Sequence, residues 1–297
     1  TGKTTLNLEE AELYESPSIR SDDETLNNQM DQMNTLTAAN ITYDFVDQQF
    51  VVNRDVLKEW LIQDSDGNYV IDETQAAAWV KHMAYETDTF GLAHTFQTSL
   101  GPTIELKGGG DYGWVINKDK TTAALMEAIN AGTQGTLEPV YLYSANDRSS
   151  NDIGGTYVEI CISQQKMWCY KDGQLVVETP VVTGSHATGY DTPAGSVWAI
   201  DAKKRDADFT LYTAHVTFWL PFNDQVGIHD SSWRTDYGGD IYLTSGSHGC
   251  INTPYDAAEK IFNTVGIGDP VIVYYSLDDV VGPQPTQKNT QDTAIAN

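Results

Sequence analysis

Basic residues are scarce in this chain, with 17 Lys and Arg against 42 Asp and Glu in 297 residues and a formal charge of −25. There is no basic patch to neutralise phosphates, so nucleic acid is excluded as a partner, and the acidity reads as the solubility of an exported protein. Cysteine is sparser still. Three thiols, Cys161, Cys169 and Cys250, allow one disulfide and one free sulfur by arithmetic. A hairpin of 158–163 and 166–171 turning at Gln164-Gln165 sets 161 opposite 168 and 160 opposite 169, so Cys161 and Cys169 project from opposite faces and pair only if a bulge resets the register. No run of about eighteen apolar residues exists, so no segment reads as a membrane span. The chain opens at Thr1 with neither Met nor signal peptide. It is expected to be a trimmed ectodomain, attached to a membrane only through an anchor lying upstream.

What is present centres on Ser247-His248-Gly249-Cys250-Ile251-Asn252. Thr253 as N-cap, Pro254 at the first position, Asp256 and Glu259 near the positive end, and Ala257, Ala258, Ile261, Phe262 and Val265 as an apolar stripe predict a helix directly behind Cys250. Its dipole is expected to favour the thiolate, and the N–H groups of His248, Gly249 and Cys250 to converge on an oxyanion. The base is assigned to His229, in Gly227-Ile228-His229-Asp230 beyond the apolar run Val216–Phe222. The backbone carbonyl of Ser247 is expected to hold its second nitrogen, and its imidazolium to support the sulfur. His248 sits on the nucleophile's own turn and is expected to shape it or touch substrate. A zinc site of His229, His248 and Cys250 with a water is an alternative. It lacks a carboxylate base placed by any motif, so no metal and no cofactor is expected.

The first half shows no chemistry. Ser21-Asp22-Asp23-Glu24 reads as a capping box before a helix carrying Leu26, Met30 and Met33; Asn53 caps a second with Val56, Leu57, Trp60 and Leu61; a third runs from Asp72 through Met83; a fourth spans 121–131, closed by Gly132. Ile41–Phe45 and Thr103–Leu106 alternate as strands. Asp64-Ser65-Asp66-Gly67-Asn68 lacks the Gly and Glu of a calcium loop, since Tyr69 and Gln75 stand there, and is expected to be a turn. The polar stretch Ser144–Asp152 places a boundary, giving an α+β domain over 1–148, a mainly β domain over 149–276 and a disordered tail over 277–297.

Ser247-His248-Gly249-Cys250 with Gly227-Ile228-His229 upstream resembles the L,D-transpeptidase, or YkuD-type, catalytic domain. Gln165–Trp168, Tyr170–Gly173, Val182-Thr183-Gly184, Thr192–Gly195 and Gly268–Val273 follow the same pattern, covering roughly 150–275. Gly110–Trp114 and the helix after it resemble the peptidoglycan-binding domain often found ahead of it. Many members carry Arg where Asn252 stands and a small residue where Asp230 stands; neither departure touches nucleophile or base. The resemblance implies a β-sandwich-type fold with a helix after the catalytic cysteine. It implies attack by Cys250 on the bond between an L-centred diamino acid and the terminal D-Ala of a peptidoglycan tetrapeptide stem, then transfer to an acceptor amine as a 3-3 cross-link. Trp233, Asn252 and Asp230 are the expected substrate contacts. The expected partners are peptidoglycan stem peptides and carbapenem-type inhibitors, and the expected location is the wall-facing, extracellular side of a bacterial membrane. The rival reading is a wall-binding protein whose catalytic half is inert.

Overall fold

A computed structural model describes residues 20–209 and 214–276; the tail expected over 277–297 lies outside them. Helices begin where a short side chain can accept an orphan N–H. Asp23, not Ser21, caps Glu24–Leu36, its Oδ1 accepting from Leu26 N at 3.0 Å. Asn53 opens Arg54–Leu57 as expected, bonding the N–H groups of Asp55 and Val56 at 3.0 and 3.2 Å. Asp72 precedes Glu73–Thr87. The fourth helix, Lys118–Asn130, starts ahead of Thr121 because Asn117 Oδ1 accepts from Lys120 N at 3.1 Å and caps it early.

The chain divides into two units. Among the described residues, the first is built from 20–44, Gln49–Trp79 and Thr122–Glu138. Its sheet has Asn40–Asp44 at the centre, antiparallel to Gln49–Val52 and parallel to Gln134–Thr136. Trp79 fills the space beside it, with its ring 5.9 Å from Tyr43, 6.1 Å from Phe50 and 6.3 Å from Trp60. The 64–68 segment is the turn of a hairpin joining Leu61–Gln63 to Tyr69–Ile71. Asp64 Oδ1 accepts from its own backbone, at Asp66 N and Asn68 N, both at 2.9 Å.

Among the described residues, the second unit takes Phe45–Gln48, Val80–Thr121, 139–209 and 214–276. Five strands run in the spatial order Gln174–Pro180, Lys166–Lys171, Tyr157–Cys161, Pro270–Tyr274, Ser196–Ala199; four more run Lys204–Phe209, Ala214–Asn223, Val226–Asp230, Ile251–Thr253. The two sheets share one core, in which Val158 and Met167 of the first meet Phe218, Phe222, Ile228 and Ile251 of the second. Helix Tyr255–Thr264 adds Ile261 and Phe262 to it. This is the β-sandwich-type arrangement expected, with a helix after the cysteine. The five-stranded sheet is buried on its other face too, where Trp168 and Ile272 pack with Phe96, Ile104 and Leu106. In the central strands Tyr157–Cys161 and Pro270–Tyr274, valine, isoleucine and tyrosine hold seven of ten positions, which suits strands covered on both sides. Glu159 lies wholly buried on that face, and burial raises its pKa. Ser99 N at 2.9 Å and Tyr274 OH at 2.7 Å donate to its carboxyl, so it is not left unpaired.

The cysteine hairpin differs in register from the expectation. Cys161 stands opposite Lys166 and Val158 opposite Cys169, because the turn is Ile162–Gln165, with Gln165 N donating to Ile162 O at 3.0 Å. The longer turn moves the register by an even step, so the faces keep their identity. Cys169 enters the core between the sheets and Cys161 the opposite face. Both thiols are free.

Candidate active site

His229 lies in the strand Val226–Asp230, whose parallel ladder with Ile251–Thr253 sets Ile228 beside Ile251 and His229 beside Asn252. Alternation along both strands then puts Gly227, His229, Cys250 and Asn252 on one face of the sheet. That face is the floor of a cavity of about 1040 Å³ lined by His229, Cys250, Asn252, Trp233, Arg234 and His248 among others. Two segments distant in sequence are thus joined by register.

The turn that presents Cys250 is fixed from three directions. Ser247 Oγ donates to Cys250 O at 2.5 Å and accepts from Gly249 N at 3.1 Å. Ser247 N donates to Thr183 O at 2.9 Å, and Thr192 Oγ1 accepts from Gly184 N at 2.9 Å while donating to Gly249 O at 2.6 Å. Gly249 has φ of +110°, a conformation costly for other residues. Gly184 is required by space, since a Cβ there would stand 2.0 Å from Tyr190 O and 2.9 Å from Gly249 Cα. The sequence segments around Thr183 and Thr192 have no reacting group. They clamp the turn.

Three electrostatic expectations are corrected. The helix begins at Tyr255 behind Pro254, and Ile251–Thr253 is a strand, so no helix N-terminus adjoins Cys250; Thr253 Oγ1 bonds back to Ile251 O at 3.1 Å rather than capping. Burial pushes the Cys250 thiol up to about 11, against a lesser pull from the Gly227 N–H, and its Sγ donates to Gln225 O at 3.4 Å. The resting group is a thiol. The Ser247 carbonyl does not orient His229, because it accepts from Ser185 N at 3.0 Å; His229 Nδ1 donates instead to Asp230 O at 2.8 Å. Of the three N–H groups expected to converge on an oxyanion, that of Gly249 is taken by Ser247 Oγ.

His229 is enclosed by aromatic rings, those of Phe209 at 5.3 Å, Trp219 at 5.8 Å and Trp233 at 5.8 Å. Burial among them lowers its pKa from the ordinary value, the Asp230 carbonyl opposing. The ring is neutral with its proton on Nδ1. Asn252, with its amide turned as its neighbours require, donates from Nδ2 to His229 Nε2 at 3.3 Å and accepts at Oδ1 from Arg234 Nε at 2.6 Å. Nε2 is therefore the basic atom.

The sequence profile of the L,D-transpeptidase catalytic domain, YkuD, matches residues 155–273, and that of a peptidoglycan binding domain matches 19–138. Among solved structures, the avibactam carbamoyl enzyme of Ldtfm is 33% identical with a TM-score of 0.66, the match covering 84% of this chain and 99% of that one. A Cys-to-Ser mutant of the L,D-transpeptidase of Enterococcus faecium is 33% identical with a TM-score of 0.65, covering 83% and 100%. The chain belongs to the L,D-transpeptidase family. None of the curated proteins compared with it matches.

As an L,D-transpeptidase it is a cysteine-dependent acyltransferase whose domains place it facing the cell wall. No helix among the described residues is long and apolar enough to cross a membrane. The expected contacts divide. Trp233 and Asn252 line the L,D-transpeptidase cavity, the former half exposed. Asp230 does not: one position after His229 it faces the other way, and its Oδ1 accepts from Phe218 N at 2.8 Å within the core. Asp230→Ala is expected to strand that N–H and cost about 1–3 kcal/mol in urea unfolding while leaving the cavity wall intact. Wild-type stability would show that the bond is dispensable. His248 points its ring at Tyr190, centroids 4.6 Å apart. No three His, Cys, Asp or Glu side chains gather as metal ligands among the described residues, so the zinc alternative is not favoured. Arg234, Phe209 and Trp219 escaped the sequence reading. An Arg directly after Trp233 in so acidic a chain was the only hint.

Proposed function

We propose that this L,D-transpeptidase joins peptidoglycan stems through a thioester on Cys250. His229 Nε2 takes the thiol proton as Sγ attacks the carbonyl between the L-centre of a diamino acid and the terminal D-Ala. The C–N bond breaks, the proton passes to the leaving amine, D-Ala departs and the acyl group stays on sulfur. The acceptor amine then gives its proton to His229, its nitrogen displaces sulfur, a 3-3 cross-link forms, and His229 returns the proton to the departing thiolate. The Cys250 N–H is the proposed oxyanion donor. We assign the reaction to residues 149–276 and wall contact to 1–148. The observation that carries this reading is the strand register that sets Cys250 and His229 on one cavity wall, with His229 Nδ1 tied to Asp230 O and Nε2 the unprotonated nitrogen, accepting from Asn252 Nδ2 at rest.

The test is intact-protein mass spectrometry with a defined tetrapeptide donor and acceptor. A mass gain equal to the donor less D-Ala, chased by acceptor into a cross-linked dimer, is expected. The avibactam carbamoyl enzyme of Ldtfm is a relative modified covalently by an inhibitor, and in parallel the family resemblance leads us to expect that a carbapenem should add its mass to the Cys250 peptide. Absence of any adduct with any carbapenem counts against the acylating thiol.

A further inference from the structure

Arg234 is a half-buried cation that has no anion. Its Nη2 donates to Ser245 O at 2.9 Å and to Asn252 Oδ1 at 3.3 Å, and its Nε to Asn252 Oδ1 at 2.6 Å; both acceptors are neutral, and no carboxylate among the described residues pairs with it. Burial works against its charge, with the Tyr237 hydroxyl opposing. With 42 acidic residues in the chain, an unpaired guanidinium in a cavity wall is not for want of candidates. Asp208, on the same wall, is already bonded to His215 Nδ1 at 2.9 Å. A guanidinium presents five N–H donors in a planar fork, and the two neutral acceptors here engage Nε and Nη2 and leave the two N–H groups of Nη1 for a ligand. A partly buried charge held without its counterion is costly unless a ligand supplies one. Asn252 links Arg234 directly to His229 Nε2, so the open fork sits one side chain away from the reacting proton.

We propose that Arg234 binds the free carboxylate of the donor's terminal residue and so confines acyl transfer to the last peptide bond of the stem. This inference rests on the transpeptidase reading above. That reaction expels one terminal amino acid, and what separates a terminal bond from an internal one is the free carboxylate beyond the leaving nitrogen. A charge-assisted bond from the Nη1 of Arg234 recognises that group and rejects an amide or a further peptide unit, which carries no charge there.

The experiment compares acyl-enzyme formation from a tetrapeptide ending in D-Ala carboxylate with formation from the same peptide as its C-terminal amide. It uses the full chain as wild type, Arg234→Gln and Arg234→Lys, and reads KM and kcat separately by mass spectrometry. The wild type is expected to prefer the acid by about 10- to 100-fold in kcat/KM. Arg234→Gln should collapse that ratio toward one, chiefly by raising KM for the acid, and Arg234→Lys should keep part of it. Alkylation of Cys250 by iodoacetamide at the wild-type rate shows that each variant retains its site. An equal fall for acid and amide with the ratio preserved would mean that Arg234 only orients Asn252, and overturns the proposal. So does a wild type indifferent to amidation. Failure of the wild type to acylate with either donor removes the transpeptidase reading itself, and is told apart because no ratio then exists.

Discussion

Cys250→Ala protein is expected to fold, to retain its cavity and to form no acyl-enzyme with donor peptide or carbapenem. The expectation rests on what surrounds the sulfur. The turn is held by bonds of Ser247 Oγ, Thr192 Oγ1 and the Thr183 carbonyl to backbone atoms, whereas Sγ donates to Gln225 O at 3.4 Å and meets the Gly227 N–H. A methyl group in its place leaves the clamp unchanged, so thermal unfolding should move little while turnover disappears. Cys161→Ala and Cys169→Ala should do the reverse. Both thiols are buried, on opposite faces of one sheet, and burial lifts the Cys169 thiol to about 12, which makes it a poor nucleophile. Each truncation removes a small buried group and costs stability without touching acylation. Turnover by Cys250→Ala, detected as product mass, would end the thioester mechanism.

The neutral thiol also decides what pH should do. A group pushed up to about 11 by burial is protonated through the physiological range, so alkylation of resting Cys250 should climb steadily toward that value. The sequence reading placed a helix dipole next to the sulfur and pointed to a thiolate instead. It failed because Ile251–Thr253 pairs with Val226–Asp230, and that ladder claims the residues that a capping pattern marks as helix start. Tertiary pairing overrode local signals in the same way at Asp230, whose proximity to His229 in sequence hid the alternation that sends its carboxylate into the core. Strand order lay beyond the sequence too, since the five-stranded sheet brings Pro270–Tyr274 between Tyr157–Cys161 and Ser196–Ala199. What could be read were the groups whose chemistry is local: the Gly-flanked cysteine, the histidine at a strand end, the Asn53 cap, the Asp64 turn. Arg234 could not, because its meaning lies in the anion it lacks, and a missing partner is visible only in three dimensions.

His229→Ala is expected to slow acylation by the 10²- to 10⁴-fold typical of a lost general base, and His248→Ala by much less. Both residues border the cavity, but their rings are committed differently. His229 has its Nδ1 proton tied to Asp230 O at 2.8 Å, and its Nε2 faces Asn252, on the cavity wall that also carries Cys250. His248 lays its ring against Tyr190 at 4.6 Å, on the turn itself. The thiol titration separates the two roles further. A neutral imidazole lends no charge to a neighbouring sulfur, so the alkylation curve of His229→Ala should stay close to wild type. An imidazolium partner, as the sequence reading had it, would displace that curve to higher pH on removal. The sign for catalysis follows from the same state: burial holds the His229 pKa below its ordinary value, so the base form persists as pH falls, and wild-type acylation should hold its rate to lower pH than an exposed histidine, near 6.5, would permit. Two results would reverse this account. A large upward shift of thiol titration in His229→Ala would restore the ion pair. Loss of acylation in His248→Ala, with His229→Ala still active, would pass the base to the other ring.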